Sequence, residues 1–274
     1  MAFYFANSNQ KEAEILILGI GYDRTSSFLS GSRFAPNLIR EGAENIETYS
    51  PYFKRDLSEL KICDLGNFYF PREKPEEFIS ETKNFIQKLL KEKKKLIILG
   101  GEHTISLPVI MAFKEYYPDL VVIIFDAHSD LREEFLGEKF CHATVAKRIL
   151  ELVGEDNLYQ FGIRSLTKDC RQKNKHLFLF DVVKPLKKVF KSLKNKKIYL
   201  SLDLDVLDMG LLPAVQTPVP GGITFSELIT AFQLLKNLKI VGADIVEFSP
   251  LLNHPFPYAS LCAEILREVI FTIK

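Results

Sequence analysis

Short runs of consecutive apolar residues recur along the whole chain, each breaking off into polar residues and each followed by a segment of helical period. No other feature constrains the fold as much. The runs cover residues 15–20, 96–99, 121–125, 158–162, 177–180, 198–204 and 240–246, with 61–65 a weaker candidate. A strand that is apolar at every position has no face to leave in water, so these strands need cover on both sides. The segments between them can provide it. From 76 to 90, Phe78, Ile79, Thr82, Phe85, Ile86, Leu89 and Leu90 fall on one helical face. Thr224 with Glu227 three residues on, then Leu228, Ile229 and Phe232, reads as a capping box that opens a helix. Strands alternating with helices indicate a three-layer αβα architecture around a mainly parallel sheet of about eight strands.

With no internal repeat and no Pro/Gly/Ser linker, a single domain over residues 1–274 is expected, and 47% hydrophobic residues suit a sizeable core. The net charge of +1 offers no field of one sign for nucleic acid or an anionic membrane. Lysine clusters at 91–95 and 194–197 read as solvated helix ends and turns. No apolar run approaches the roughly 20 residues that span a bilayer. The first residues lack the basic-then-apolar pattern of a secretion signal. Cys63, Cys141, Cys170 and Cys262 form no CxxC pair, which argues against a zinc cluster or a disulfide framework and for a reducing cytoplasm.

Ligands of such sheets bind beyond the carboxyl ends of the strands, where this chain gathers its unusual residues. Gly100, Gly101, Glu102 and His103 follow one run, and Asp126, His128, Ser129 and Asp130 another. Ser201 to Asp208 close a third, and Glu247 follows a fourth. Side chains alternate along a strand, so Ser201, Asp203 and Asp205 are expected on one face, opposite Leu200, Leu202 and Leu204. Asp126, His128 and Asp130 repeat the two-residue spacing. Two like charges about 4 Å apart repel by roughly 4 kcal/mol at an effective dielectric near 20, and neither motif contains a lysine or arginine to offset four carboxylates. Two divalent cations would balance them. Oxygen and imidazole ligands without thiolate suit manganese or a related ion, and two such ions about 3.5–4 Å apart can turn a bridging water into hydroxide at neutral pH. Asp126 or His128 taken alone would read as a satisfied turn or cap. DxHxD and DxD together, with a histidine after a Gly-Gly turn, carry the metal reading.

The stretches GGEHT (100–104), DAHSD (126–130), SLDLDVLD (201–208), TPVPGG (217–222) and ADIVEFSP (243–250) resemble those of the ureohydrolase family, which includes arginase, agmatinase, guanidinobutyrase and formiminoglutamase. GIGYD (19–23) and GSRFAPNLIR (31–40) extend the likeness over nearly the whole chain. The resemblance implies an arginase-like fold, hydrolase activity on linear amidines, and two Mn2+ ions per chain. His103, Asp126, Asp130 and Asp203 would hold one ion. His128, Asp126, Asp203 and Asp205 would hold the other, with Asp126 and Asp203 bridging. Asp130 would also orient the hydroxide, Glu247 would grip the substrate guanidinium, and His142 would shuttle a proton. These roles suit the chemistry: a guanidinium is a poor electrophile that must be held beside a preformed nucleophile, and its leaving amine must be protonated. Family members commonly form trimers or hexamers, so a homo-oligomer is implied. His176 and His254 lack such a context and read as structural or surface residues.

The chain departs from the family pattern in three places. Met209 stands where proline usually follows Asp208, Ala214-Val215-Gln216 replaces a glycine-rich approach to Thr217-Pro218, and His142 precedes Ala143 instead of glycine. The segment 131–141, LREEFLGEKFC, is expected over the pocket, where Glu133, Glu134 and Glu138 would form an acidic lip for an amine or polyamine tail. It also resembles agmatinase-like proteins of thermophiles. Agmatine or N1-aminopropylagmatine, cut to putrescine or spermidine in polyamine synthesis, is therefore the expected substrate. Arg132 keeps open a carboxylate-bearing one, arginine or formiminoglutamate. Two readings of other classes stand beside these. A silent metal-binding homologue acting through a partner would be supported by loss of a ligand or of Glu247, and neither is lost. An amide deacylase would release a carboxylate instead of urea.

Overall fold

The computed structural model describes residues 2–70, 74–251 and 255–274. In chain order its strands are β1 (Ile15–Ile20), β2 (Tyr49–Ser50), β3 (Arg55–Asp56), β4 (Ile62–Asn67), β5 (Lys95–Gly100), β6 (Val121–Phe125), β7 (Leu158–Ile163), β8 (Leu177–Leu179), β9 (Lys197–Asp203) and β10 (Lys239–Val246). The helices are α1 (Ala35–Gly42), α2 (Pro75–Leu90), α3 (Ser106–Tyr116), α4 (Val145–Val153), α5 (Val183–Leu193), α6 (Phe225–Leu235) and α7 (Pro255–Ile273). Apart from the small antiparallel hairpin β2–β3, the strands build one eight-stranded sheet in the order β4-β1-β5-β10-β9-β6-β7-β8. Every pairing in it is parallel. Each expected apolar run is one of these strands, within two residues at either end.

Alternation along the strands divides the core in two. Ile17, Ile97, Ile123, Leu200, Leu202 and Ile245 point to the face covered by α1, α5, α6 and α7. Leu16, Leu18, Ile98, Ile124 and Tyr199 point to the face covered by α2, α3 and α4. A fully buried Leu, Ile or Phe contributes roughly 1.5–3 kcal/mol over leaving it exposed, so two such layers can hold polar groups out of water at one end. Chain order decides which end. From β5 the chain crosses to β6, passes through β7 and β8 to the edge, and returns as β9 and β10 to fill the gap. The carboxyl ends of β5, β10, β9 and β6 therefore lie side by side at the centre.

One expectation changes here. Strand β9 stops at Asp203, and Leu204–Val206 form a 3-10 turn, so Ser201 and Asp203 share a face but Asp205 is not on the strand. The Asp203 carboxylate accepts the Asp205 N–H at 2.9 Å, which ends the strand and folds the second aspartate back toward the first. The lysine clusters start at the ends of α2 and α5 and run through the following turns, as read from the sequence, but Lys95 and Lys197 are the first residues of β5 and β9. His176 stacks on Tyr159, and His254 lies outside the described residues.

The capping box at α6 forms as expected: the Thr224 hydroxyl accepts the Glu227 N–H at 3.2 Å, and Glu227 accepts the Thr224 N–H at 2.8 Å. Thr224→Ala should lower stability by about 1 kcal/mol, read as a lower urea midpoint with an unchanged m-value. An unmoved midpoint would mean that water caps this helix equally well.

Candidate active site

The three loops after β5, β6 and β9 bring their histidines and aspartates onto two points. Around His103 Nδ1 lie Asp126 Oδ2 at 3.1 Å, Asp203 Oδ2 at 3.2 Å and Asp130 Oδ2 at 3.3 Å. A second group joins His128 Nδ1 to Asp205 Oδ2 at 2.7 Å, with Asp126 Oδ1 at 3.8 Å. His103, Asp126 and Asp203 form one set with donor atoms close enough to hold a metal ion, and Asp126, His128 and Asp205 form another. All six residues named from the sequence are thus brought together, with Asp126 common to both sets.

Hydrogen bonding behind His103 shows what its ring is prepared for. Ser201 Oγ donates to Asp244 Oδ1 at 2.7 Å, and Tyr199 Oη donates to Asp244 Oδ2 at 2.9 Å. With its proton committed, the Ser201 oxygen accepts from His103 Nε2 at 3.1 Å. That assigns the proton to Nε2 and turns the Nδ1 lone pair toward three carboxylate oxygens. Lone pairs facing lone pairs in a buried space repel unless a cation sits between them. Among the described residues, His103 Nδ1 and Asp126 Oδ2 are both buried without a hydrogen-bond partner, which fits donors meant for a divalent ion.

The electrostatics point the same way. Burial, then the neighbouring Asp203, Asp130 and Asp205 charges, push the Asp126 carboxyl well above its ordinary range. Burial and Asp205 push Asp203 up. Asp205 goes down, because His128 and the Ala127 N–H outweigh its burial. Burial alone would lower the His128 pKa, but Asp205 raises it to about 10. Sequence reasoning found no cation within the motifs and missed Arg164, which stands behind them. Its guanidinium donates to the Asp205 carbonyl at 2.7 Å, Leu207 at 3.2 Å and Val206 at 3.3 Å, and to Val219 at 2.9 Å and Pro220 at 3.1 Å. It therefore clamps the turn carrying Asp205 to the loop carrying Thr217. An arginine after the β7 run was visible in the sequence, but only folding places it there.

Glu247 and Asp130 are two of the seven described non-glycine residues with positive φ, at 71° and 49°. Side chains other than glycine hold this left-handed conformation at a cost of order 1–3 kcal/mol, and such residues cluster at functional sites. The Glu247 N–H bonds the Gly101 carbonyl at 2.9 Å, and its Oε1 accepts the His103 N–H at 2.6 Å. Its other oxygen, Oε2, is buried and has no hydrogen-bond partner among the described residues. Burial, then Asp203, raise its carboxyl well above the usual range. Glu247 lines a cavity of about 250 Å³ whose wall also includes Ser27, His128, Asp130, Arg132, Phe135, His142 and Thr217. That is small beside the roughly 300–1,000 Å³ of drug-sized sites, so it admits a slender ligand. His142 is half-buried, and burial lowers its pKa.

The rim differs from expectation. Phe135 and Glu138 pair across a tight turn at Leu136 and Gly137, both with positive φ, which makes segment 131–141 a hairpin. Arg132 and Phe135 line the cavity, whereas Glu133, Glu134 and Glu138 do not. Glu133 turns outward to α4, where it pairs with Lys147 at 2.9 Å and Arg148 at 3.2 Å. The expected acidic lip is therefore not part of this cavity's wall. The unusual Ala214-Val215-Gln216 is buried behind the wall: Val215 pairs with Phe248, and Gln216 Nε2 donates to Ser32 Oγ at 2.5 Å. Of this stretch only Thr217 reaches the cavity.

A parallel sheet between two helical layers, with this cluster at its carboxyl edge, is the arginase-like αβα fold. The agmatine ureohydrolase of Thermoplasma volcanium superimposes with a TM-score of 0.88 at 33% identity, covering 99% of this chain and 94% of that one. Residues 13–272 match the arginase family. The agmatinase of Bacillus anthracis is 36% identical, covering 98% of this chain and 94% of its own. The N(1)-aminopropylagmatine ureohydrolase of Thermococcus kodakarensis is 33% identical over 86% and 83% of the two chains. The chain belongs to the arginase family, as an agmatinase-like member, and is a hydrolase of the ureohydrolase type. Among the described residues no helix is long and apolar enough to cross a membrane.

If Ser201 holds the His103 tautomer, Ser201→Ala should weaken retention of a divalent ion by about 10–100-fold, the usual cost of losing such an outer partner. Competition against a fluorescent chelator measures it. Unchanged retention would show that Ser106 or water takes over the role.

Proposed function

We propose that this chain hydrolyses a guanidino compound to urea and an amine, as one cytoplasmic domain over residues 1–274 that uses two divalent ions. The observation that carries the reading is the second oxygen of Glu247. A buried carboxylate oxygen without a partner, beside a narrow cavity and a His/Asp cluster, is suited to a small planar cation. His103, Asp126, Asp130 and Asp203 would hold one ion, and His128, Asp126, Asp203 and Asp205 the other. Manganese is the ion we favour for this donor set. When bound, such a pair would supply Lewis acidity and a water that ionises near neutral pH.

The residues of the chain do the rest. Glu247 grips the guanidinium and keeps its carbon over the cluster, replacing a chance encounter with a fixed geometry. Asp130 accepts a hydrogen bond from the attacking water and orients it. His142 hands a proton to the departing amine nitrogen. Its burial-lowered pKa makes the protonated ring a readier donor.

Agmatine or N1-aminopropylagmatine is the substrate we propose, with putrescine or spermidine as the product amine in polyamine synthesis. Its support is the similarity to an agmatinase and to an aminopropylagmatine ureohydrolase, not the acidic lip. Arg132 in the cavity wall favours a second reading, a carboxylate-bearing substrate such as arginine or formiminoglutamate. A homo-oligomer, trimer or hexamer, is proposed from family likeness.

Urea release from agmatine, its aminopropyl derivative and arginine, with formamide release from formiminoglutamate, tests the reaction class and the substrate together. The amine-tailed compounds should exceed arginine in kcat/KM by about tenfold or more, a difference of roughly 1.4 kcal/mol. Arg132→Ala should leave that ratio nearly unmoved. Arginine ahead in the unmodified protein and behind in Arg132→Ala would establish the second reading, and no turnover of any compound would favour a silent homologue.

Metal analysis of the manganese-saturated protein should find two ions per chain. Asp126→Ala, which removes a ligand of both ions, should leave fewer than one. A saturating stoichiometry of one in the unmodified protein would contradict the paired site.

A further inference from the structure

Glu102 is fully buried, sits next to His103, and belongs to neither set of donors that could hold a metal. It does not line the cavity and does not cap the helical turn that follows it. Its carboxylate instead binds the segment Thr25–Ser26. Oε1 accepts the Thr25 hydroxyl at 2.6 Å, while Oε2 accepts the Thr25 N–H at 3.1 Å and the Ser26 hydroxyl at 3.0 Å. The backbone joins in, since the Glu102 N–H donates to the Tyr22 carbonyl at 2.7 Å. This approach is so close that a Cβ on Gly101 would lie 2.0 Å from that carbonyl oxygen. The second glycine of the Gly-Gly pair is thus required by the docking of residues 22–27.

The docked segment reaches His142 at two points. With its proton given to Glu102, the Thr25 hydroxyl oxygen accepts the His142 N–H at 3.4 Å. Ser27 Oγ meets His142 Nε2 at 3.1 Å. The other ring nitrogen, Nδ1, is buried with no hydrogen-bond partner among the described residues. Phe135 packs on the ring edge-to-face at 5.9 Å and sets a plane without selecting a nitrogen. The Ser27 hydroxyl is then what decides which way the imidazole edge faces in the cavity that both residues line.

We propose that Glu102 and Ser27 are positioning residues for His142: Glu102 anchors the strap of residues 25–27, and Ser27 orients the His142 ring toward the bound substrate. This rests on the reading of His142 as proton donor. A positioned general acid contributes roughly 10²–10⁴-fold, and loss of its orientation should remove part of that.

Steady-state kinetics and metal content of Ser27→Ala, Glu102→Gln, His142→Ala and the double variants test it on the manganese-loaded enzyme with agmatine or whichever guanidino compound is turned over. Ser27→Ala should lower kcat about tenfold with KM and metal content unchanged, and Ser27→Thr, which keeps the hydroxyl, should recover most of the loss. In the His142→Ala background the Ser27→Ala change should cost nothing further, because the two groups act as one. Glu102→Gln should lower kcat in the same way with both ions retained. Multiplying losses in the Ser27/His142 double variant, or full turnover in Ser27→Ala, would overturn the strap while leaving His142→Ala slow. Metal loss in Glu102→Gln would show that Glu102 supports His103 instead. Full turnover in His142→Ala would remove the proton-donor reading and the strap's role with it.

Discussion

Repulsion among carboxylates held out of water organises this molecule. Asp126, Asp203, Asp205 and Glu247 are all buried at one end of the sheet, within reach of one another and of Asp130. In water the chain would gain by spreading them apart. Two apolar layers, one on each face of an eight-stranded sheet, hold them together. Much of the surrounding polar structure answers that confinement. Arg164 sets a fixed positive charge behind the Asp205 turn, backbone N–H groups occupy one oxygen each of Asp126, Asp203 and Glu247, and His128 pairs with Asp205. The oxygens and the nitrogen left over converge on two points, which is the geometry of a site that expects cations.

Rigidity around that cluster comes from backbone that only certain residues permit. Asp130 and Glu247 hold left-handed conformations, and Gly101 stands where any side chain would strike Tyr22. Each local strain is held by hydrogen bonds on either side, such as Glu247 N–H to Gly101 and Lys147 N–H to the Asp130 carbonyl. A ligand shell assembled this way does not have to be ordered by what it binds, and catalysis gains from groups already in place. The chain Tyr199–Asp244–Ser201–His103 extends the same logic one layer further out, since it fixes a proton on one nitrogen and so frees the other.

Metal cluster and rim are built differently, and this explains why reaction class and substrate are not equally legible. The cluster rises from strand ends whose positions the sheet register sets. The rim consists of a hairpin at 131–141 and a loop at 217–222, whose side chains choose among several partners. Glu133 had the choice of the cavity mouth or the cations of α4, and Lys147 and Arg148 won because two close ion pairs outweigh one open approach. That choice leaves Arg132 and Phe135, stacked cation over ring at 5.1 Å, as the hairpin's part of the cavity wall.

The strands and their parallel order class, the α6 capping box and all six His/Asp members of the cluster were determined by the sequence alone. They follow from local rules: apolar runs demand cover on both faces, Thr224 and Glu227 cap each other within one turn, and polar residues at the ends of buried strands have few places to go. Only the tertiary structure decided that Asp205 arrives on a 3-10 turn instead of a continuing strand, that Arg164 stands behind that turn, and that the glutamates of 131–141 face solvent. It alone also brought Glu102 and the strap of residues 25–27 to His142. The physical reason is largely shared. Asp203 closes the Asp205 turn locally, but what holds that turn in place and what decides the other three is which distant group lies within about 3 Å, across sequence separations of 78 residues for Ala127 to Asp205, 41 for Arg164 to Asp205 and 115 for Ser27 to His142. Periodicity and propensity do not reach that far, because they report what a segment needs and not which neighbour will meet the need.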